Sequence, residues 1–162
     1  MPLTTINIKE GMTEEAIDQL QSTIHSCFMK AWGIPNNGGV YIINERPQSR
    51  MRISRTMWGI NRSEQSPLLL QITSSPRSKK LKLELFRVLA EELEKQGVRK
   101  EDLFISITPT QPEDWSFGNG LAQLLKEDAD TRRWDHQKGM SQWTDKINWP
   151  AESDASCTAG KL

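Results

Sequence analysis

Two residues of this chain occupy positions from which they could do chemistry, Pro2 and Arg77. A methionine that precedes proline is normally removed, and the proline nitrogen then becomes a free secondary amine on a rigid ring. An ordinary α-amino group titrates at about pH 8, and burial in an apolar pocket lowers its pKa. A neutral amine can abstract a proton beside a carbonyl, and a charged one can act as a general acid. A third possibility is that the amine forms an iminium with an aldehyde or ketone. Proline is also simply a common second residue, and retention of Met1 would leave only an amide nitrogen.

Arg77 stands in the loop just before a predicted helix. Backbone N–H groups and the positive end of the helix dipole favour an anion at such a place, and a guanidinium can bind a carboxylate through two hydrogen bonds. The residue therefore predicts an anion-binding position. The alternative is an ion pair with a neighbouring acidic side chain.

The elements around Pro2 predict a β-α-β unit. Leu3 to Ile8 is rich in β-branched residues, as strands are, and Val40 to Asn44 predicts a second strand. Thr13 is a good cap for the helix between them, which ends at Gly33. One face of that helix is apolar and consists of Ile17, Leu20, Ile24, Cys27, Phe28 and Ala31.

The same order returns about 64 residues later and places Arg77 at a helix start. Leu68 to Thr73 and Leu103 to Thr108 predict strands, and the helix between them begins after Ser78 and closes at Gly97. Its apolar face consists of Leu81, Leu85, Leu89 and Leu93. The chain is therefore expected to be a duplicated β-α-β unit.

The two halves, residues 1–63 and 64–125, predict an α+β domain with one four-stranded sheet and both helices on one face. The other face then needs a cover, which a closed ring of identical chains would supply. A short helical stretch is expected from Leu121 to Lys126. Residues 126–162 are polar, with Trp134, Trp143 and Trp149 too sparse for a core, and predict an extension that lies over the domain or a neighbour, or is partly disordered.

Composition disfavours several classes of function. The 21 basic and 21 acidic residues cancel, so no bulk charge favours nucleic acid or an anionic membrane. Five arginines between Arg46 and Arg62, mixed with Trp58, could contact nucleic acid, but a solvated connector or subunit contact is the preferred interpretation. Cys27 and Cys157 form neither a disulfide framework nor a metal spacing, and no metal or other cofactor is expected.

A cytoplasmic location is expected from the sequence. No apolar run approaches the roughly 20 residues of a membrane span, and the amino terminus lacks the order of a signal peptide. The last three residues, Gly160-Lys161-Leu162, are similar to the peroxisomal Ser-Lys-Leu signal except for the glycine. A terminus without function is the alternative.

Several motifs, taken together and in order, resemble the tautomerase superfamily. They are Pro2-Leu3, Lys9-Glu10-Gly11, Gly33-Ile34-Pro35, Trp58-Gly59-Ile60, Arg62-Ser63, Ser75-Pro76-Arg77-Ser78 and Asp114-Trp115-Ser116-Phe117-Gly118. Within the superfamily the chain resembles the malonate semialdehyde decarboxylase branch most closely, from residue 2 to about residue 125.

The resemblance implies a homotrimer whose amino-terminal proline lies at the floor of a pocket for a small carboxylate that bears a ketone, enol, aldehyde or activated alkene. It implies that Pro2 is catalytic and that Arg77 binds or polarises the substrate carboxylate. Trp115 and Phe117 are then either pocket walls that exclude water or packing residues.

The chain departs from the decarboxylase branch at the expected substrate contacts. Ser75 stands where that branch has a second arginine. The loop aspartate of that branch aligns with Gly38 of this chain, which lies beside Asn37. Other tautomerases have an arginine where this chain has Met12. The sequence therefore predicts a keto–enol tautomerase for a substrate with one carboxylate, or for a larger apolar one. The alternatives are a decarboxylase or lyase acting on a 3-oxo acid, and a trimeric binding protein without catalysis.

Overall fold

A computed structural model of the chain describes residues 1–63 and 67–125. Its two helices and four strands are β1 (Leu3–Lys9), α1 (Glu14–Trp32), β2 (Val40–Arg46), β3 (Leu68–Ser74), α2 (Lys79–Glu94) and β4 (Leu103–Pro109). The predicted extension, 126–162, and the terminal tripeptide lie outside the described residues, so the domain boundary at 125 stays a prediction. Neither helix is long and apolar enough to cross a membrane.

The helix boundaries follow the local signals in the sequence. The Oγ1 atom of Thr13 accepts a hydrogen bond from the backbone N–H of Ala16 at 3.3 Å, and the Oγ atom of Ser78 accepts one from Leu81 at 3.3 Å. Each bond satisfies one of the backbone donors that a helix start leaves without a partner. Helix α1 stops at Gly33, whose φ of 64° is left-handed and therefore suits glycine.

The four strands form one mixed sheet in the order β2-β1-β3-β4. Each half contributes a parallel pair, β1 with β2 and β3 with β4, and the halves join through the antiparallel pair of β1 and β3. The α+β fold with two β-α-β units is confirmed. The antiparallel junction means that the start of each central strand lies beside the end of the other.

The core lies between the two helices and one face of the sheet. Alternate residues of the central strands point into it, including Ile6, Leu70 and Ile72, all at most 1% exposed. Helix α1 contributes the apolar face that its sequence predicted, and α2 contributes mainly Leu85, Val88, Leu89 and Leu93. Burial of side chains of this size stabilises the fold by roughly 1.5 to 3 kcal/mol each, before conformational entropy is counted.

The connector between the halves is held by polar contacts. Asp102, only 2% exposed, accepts hydrogen bonds from the backbone N–H and the hydroxyl of Ser63, at 2.6 and 2.7 Å. Buried Arg62 donates to the backbone carbonyl oxygen of Ser54 at 3.1 Å. These contacts give two of the connector's polar residues a structural role.

Pairing lengthens the strands beyond their predicted ends. Strand β2 continues to Arg46 rather than Asn44, because Glu45 and Arg46 still pair with Ile8 and Lys9 of β1. The predicted helix from Leu121 is only one 3₁₀ turn, Gln123–Leu125, within the described residues.

Candidate active site

One end of the sheet brings the predicted site residues together. Leu3 at the start of β1 pairs with Val40 at the start of β2 and with Thr73 near the end of β3, and Thr73 pairs with Thr108. The segments just beyond this row therefore meet at the same end: the amino terminus and the three loops that hold residues 37–39, 75–77 and 110–117. Four separate stretches of sequence converge because two strands start there and two end there.

The amino terminus is enclosed in this end of the fold. The Pro2 side chain is less than 2% exposed, and the Pro2 carbonyl oxygen accepts a hydrogen bond from the Val40 N–H at 3.0 Å. Burial, together with repulsion from the Arg77 guanidinium, lowers the pKa of the Met1 amino group from 8.0 to about 6. The Met1 amino group is therefore largely neutral at pH 7.

Arg77 is a buried cation. It is 7% exposed, and its Nη1 atom donates to the carbonyl oxygens of Ser75 and Pro76, at 3.2 and 3.1 Å. Burial lowers the pKa of its guanidinium to about 10, so it stays charged at neutral pH. Its Cζ atom lies 5.1 Å from the centroid of the Trp32 ring, within the range of a cation–π contact.

Ser75 shapes the loop that presents Arg77. The residue is 4% exposed, and its carbonyl oxygen accepts from both Arg77 and the hydroxyl of Ser74, the latter at 3.0 Å. Its backbone thus orients the guanidinium. It stands where the decarboxylase branch has a second arginine.

Trp115 is tied to the same loop through two hydrogen bonds. Its Nε1 atom donates to the Thr110 hydroxyl at 2.7 Å, and the Thr110 N–H donates to the Ser74 carbonyl oxygen at 2.9 Å. Trp115 is half-buried, whereas Phe117 is 41% exposed and stacks on it with ring centroids 5.6 Å apart. The structure thus links Trp115 to the end of β3 and stacks the more exposed Phe117 on it, as an aromatic pair at this end of the sheet.

The loop with Asn37 lies at this end too, but it cannot readily carry the missing aspartate at position 38. Asn37 is exposed, whereas Gly38 is buried in the turn. A Cβ atom on Gly38 would lie 2.9 Å from Ile34 Cγ2 and 2.9 Å from Pro35 Cγ, closer than carbon atoms pack. The turn is therefore packed so closely that position 38 has little room for a side chain.

Tyr41 packs against the backbone of this loop at Gly39. Its hydroxyl lies 2.7 Å from His25 Nδ1, and burial raises its pKa above the usual range. A Cβ atom on Gly39, whose φ is 145°, would lie 2.9 Å from that hydroxyl. The two rings pack edge to face, with their centroids 5.8 Å apart.

Three residues of this region were not predicted as part of the site. Trp32 contacts Arg77, Thr110 links Trp115 to Ser74, and Gln123 accepts a hydrogen bond from the Phe117 N–H at 2.9 Å. Trp32 follows the apolar period of α1, four residues after Phe28, so its burial was readable from the sequence. Its contact with the other half was not.

The described residues offer no metal site. Within 1–63 and 67–125, no cluster of three or more histidine, cysteine, aspartate or glutamate side chains could hold an ion.

Comparison with known proteins identifies the family. The model of the family described as "Tautomerase enzyme" matches residues 39–118. The chain is 34% identical over 126 residues to "Probable tautomerase YrdN" of Bacillus subtilis (strain 168), covering 77% of this chain and 97% of the relative. It is 29% identical over 127 residues to "Probable tautomerase YusQ" of the same organism, covering 78% and 100%.

Solved structures agree with this assignment. A malonate semialdehyde decarboxylase superposes with a TM-score of 0.72 at 28% identity, covering 78% of this chain and 98% of that one. A fused 4-OT symmetric trimer superposes with a TM-score of 0.62 at 18% identity, covering 74% and 94%, and shows the shared fold. With its two β-α-β halves and its relatives, the chain belongs to the tautomerase family and is an enzyme of the tautomerase superfamily.

Proposed function

We propose that the chain, after removal of Met1, uses Pro2 as a general acid and base for keto–enol tautomerisation of a small carbonyl compound with one carboxylate. The environment of the amino terminus carries this proposal, because burial and Arg77 lower the pKa of the Met1 amino group to about 6. Pro2 is buried beside it, so the same causes are expected to lower the pKa of the proline amine once Met1 is removed. A neutral secondary amine takes the proton beside the carbonyl and returns it elsewhere.

Arg77 holds the acidic or enolate oxygen of the substrate. A buried guanidinium attracts an anion more strongly than an exposed one, since little water screens it. Attraction to the enolate grows as negative charge develops on oxygen, so Arg77 lowers the barrier as well as binding the substrate. Trp115 and Phe117 form the aromatic wall at the edge, and Asn37 and Ser75 line the approach.

A homotrimer would cover the open face of the sheet. Val40 and Ile42 are 42% and 45% exposed on that face, and a fused 4-OT of the same fold forms a symmetric trimer. Sedimentation equilibrium is expected to give three times the 18.5 kDa chain mass. A monomer mass would overturn this part of the proposal.

Intact mass, amino-terminal sequencing and an enol-to-keto assay with phenylpyruvate test the chemistry. We expect a chain that begins at Pro2 and activity that falls at least about 100-fold in Pro2→Ala, since the rigid secondary amine is lost. A serine inserted between Met1 and Pro2 provides the sharper variant, because it turns the proline nitrogen into an amide. A retained Met1 in active protein, or full activity of the insertion variant, would disprove the mechanism.

The likeness to malonate semialdehyde decarboxylase makes decarboxylation of a 3-oxo acid the second candidate. The same proline would serve it, but Ser75 and Gly38 replace two groups that the decarboxylase branch uses. We therefore expect phenylpyruvate to be turned over with a higher kcat/KM than malonate semialdehyde. The reverse order would assign the decarboxylase reaction.

A further inference from the structure

The antiparallel junction of β1 and β3 gives the domain two ends with equivalent construction. At the Pro2 end, the start of β1 meets the loop before α2 and the carboxyl end of α1. At the opposite end, the start of β3 meets the loop before α1 and the carboxyl end of α2. Pro67 immediately precedes β3 as Pro2 precedes β1, and Met12 immediately precedes the cap Thr13 as Arg77 precedes the cap Ser78.

The opposite end contains a cavity. Its volume is about 540 Å³, and its lining comes from the equivalent elements, including Met12, Pro67 and Gly97. Pockets for small molecules commonly have volumes of roughly 300 to 1,000 Å³. At the Pro2 end, the ring of Trp32, the last residue of α1, packs against Arg77. At the corresponding offset of 64, α2 is followed by Gln96, which has no ring to fill the space.

The chemistry of this cavity differs from that of the Pro2 end. The nitrogen of Pro67 is a peptide amide because the chain precedes it, and the guanidinium of Arg77 is replaced by the thioether of Met12. Leu20, Leu68 and Val98 make the walls apolar. Lys9 and Glu10 carry opposite charges at the lining, so they offer no net attraction for an anion.

We propose that this cavity is a second binding site, which takes a small uncharged molecule with an apolar ring or chain and does not transform it. The apolar walls favour such a ligand through surface removed from water. The lining holds neither a chain-terminal amine nor a guanidinium, so the proton transfer assigned to Pro2 and Arg77 is not expected there. Lys9 can donate a hydrogen bond to a carbonyl or hydroxyl oxygen of the ligand, whereas the side-chain amides of Gln19 and Gln96 already donate to the Thr23 hydroxyl.

NMR of the Met12 methyl group tests the proposal, and its outcome does not depend on the chemistry of Pro2. Full-length protein in its native assembly is labelled with ¹³C at the methionine methyl groups, and the Met12 resonance is assigned by its loss in Met12→Leu. The neutral ketone 4-phenylbutan-2-one is expected to shift this signal saturably. The signal of Met29, which lies on α1 outside the cavity, is expected to stay in place. A Met12 signal that does not respond up to the solubility limit of the ketone would overturn the proposal.

One variant sharpens the result. Ala16→Phe fills the cavity and is expected to weaken ketone binding at least tenfold while phenylpyruvate turnover stays unchanged. Ketone binding that survives Ala16→Phe in a folded protein would contradict the assignment.

Discussion

The guanidinium carbon of Arg77 lies 5.1 Å from the ring centroid of Trp32, so the cation assigned to the substrate contacts the last residue of α1. The indole is itself fixed, because Trp32 Nε1 donates to the Leu81 carbonyl oxygen at 3.0 Å. A cation–π contact in a desolvated place stabilises by about 2 kcal/mol or more. The first half of the chain thus positions the arginine of the second half that we propose binds the substrate.

Arg77→Gln is expected to lower kcat/KM for phenylpyruvate by roughly 100-fold or more, since a buried charge-assisted contact to the substrate is lost. The same substitution should lower kcat/KM for the methyl ester of this substrate by a smaller factor, because the ester lacks the carboxylate. Steady-state assays with both compounds check this. Arg87→Gln is the matched control on the exposed face of α2, and it should leave kcat/KM unchanged. Equal losses for acid and ester would show that Arg77 does not bind the carboxylate.

The pH dependence of kcat/KM should report the amine. Burial and Arg77 lower the pKa of the Met1 amino group, and the same causes are expected to lower the pKa of a free Pro2 amine, whose neutral form is the base. The rate should therefore fall as pH decreases through this lowered pKa and become constant above it. Arg77→Gln removes a repelling charge, so the residual activity should titrate at higher pH. A wild-type rate that decreases from pH 6 to 8 would instead identify a charged Pro2 acting as an acid.

Asp102→Ala is expected to lower the free energy of unfolding by about 1 to 3 kcal/mol, because it leaves buried donors of Ser63 without their acceptor. Urea denaturation followed by tryptophan fluorescence measures the change. Glu101→Ala, at the exposed neighbouring position, should change stability by less than about 0.5 kcal/mol. Equal effects of the two substitutions would mean that Asp102 does not secure the connector.

Cys27 should resist alkylation in the folded protein. Burial, followed by the nearby Glu92, raises the pKa of its thiol to about 11, so little thiolate exists at pH 8. Iodoacetamide treatment and peptide mass spectrometry are expected to show unmodified Cys27 in native buffer and complete modification in guanidinium chloride. Rapid labelling of the native protein would show that the α1–α2 interface opens.

Gly38→Asp should destabilise the protein by about 1 to 3 kcal/mol and add no decarboxylase activity, because its Cβ atom meets Ile34 and Pro35 at 2.9 Å. Asn37→Asp introduces the same charge one residue earlier at an exposed position and should be tolerated. Thermal unfolding and a malonate semialdehyde assay distinguish the two. Native stability of Gly38→Asp would show that the turn adjusts freely.

Local signals in the sequence were sufficient for much of this fold. Thr13, Ser78 and Gly33 mark helix ends through interactions with their own neighbours, so no distant residue is needed to predict them. The strand ends depend on partners: β2 reaches Arg46 because Lys9 of β1 still pairs with it. Propensity alone cannot report such pairing.

The site was predictable as a set of residues and less so as an arrangement. Pro2 and Arg77 follow from terminal chemistry and from a helix start. Trp32 contacts Arg77 across the junction of the halves, a distance of 45 positions along the chain that periodicity does not span. The sequence indicated only that position 38 lacks the aspartate of the decarboxylase branch. The structure adds that a Cβ atom at this position would be crowded by Ile34 and Pro35.

That crowding also bears on how the protein can evolve. Because the turn closes onto Ile34 and Pro35, a carboxylate at position 38 requires these neighbours to change first. A single substitution to aspartate therefore passes through a less stable protein. The crowded turn acts as an evolutionary barrier, which couples position 38 to the identities of its two neighbours.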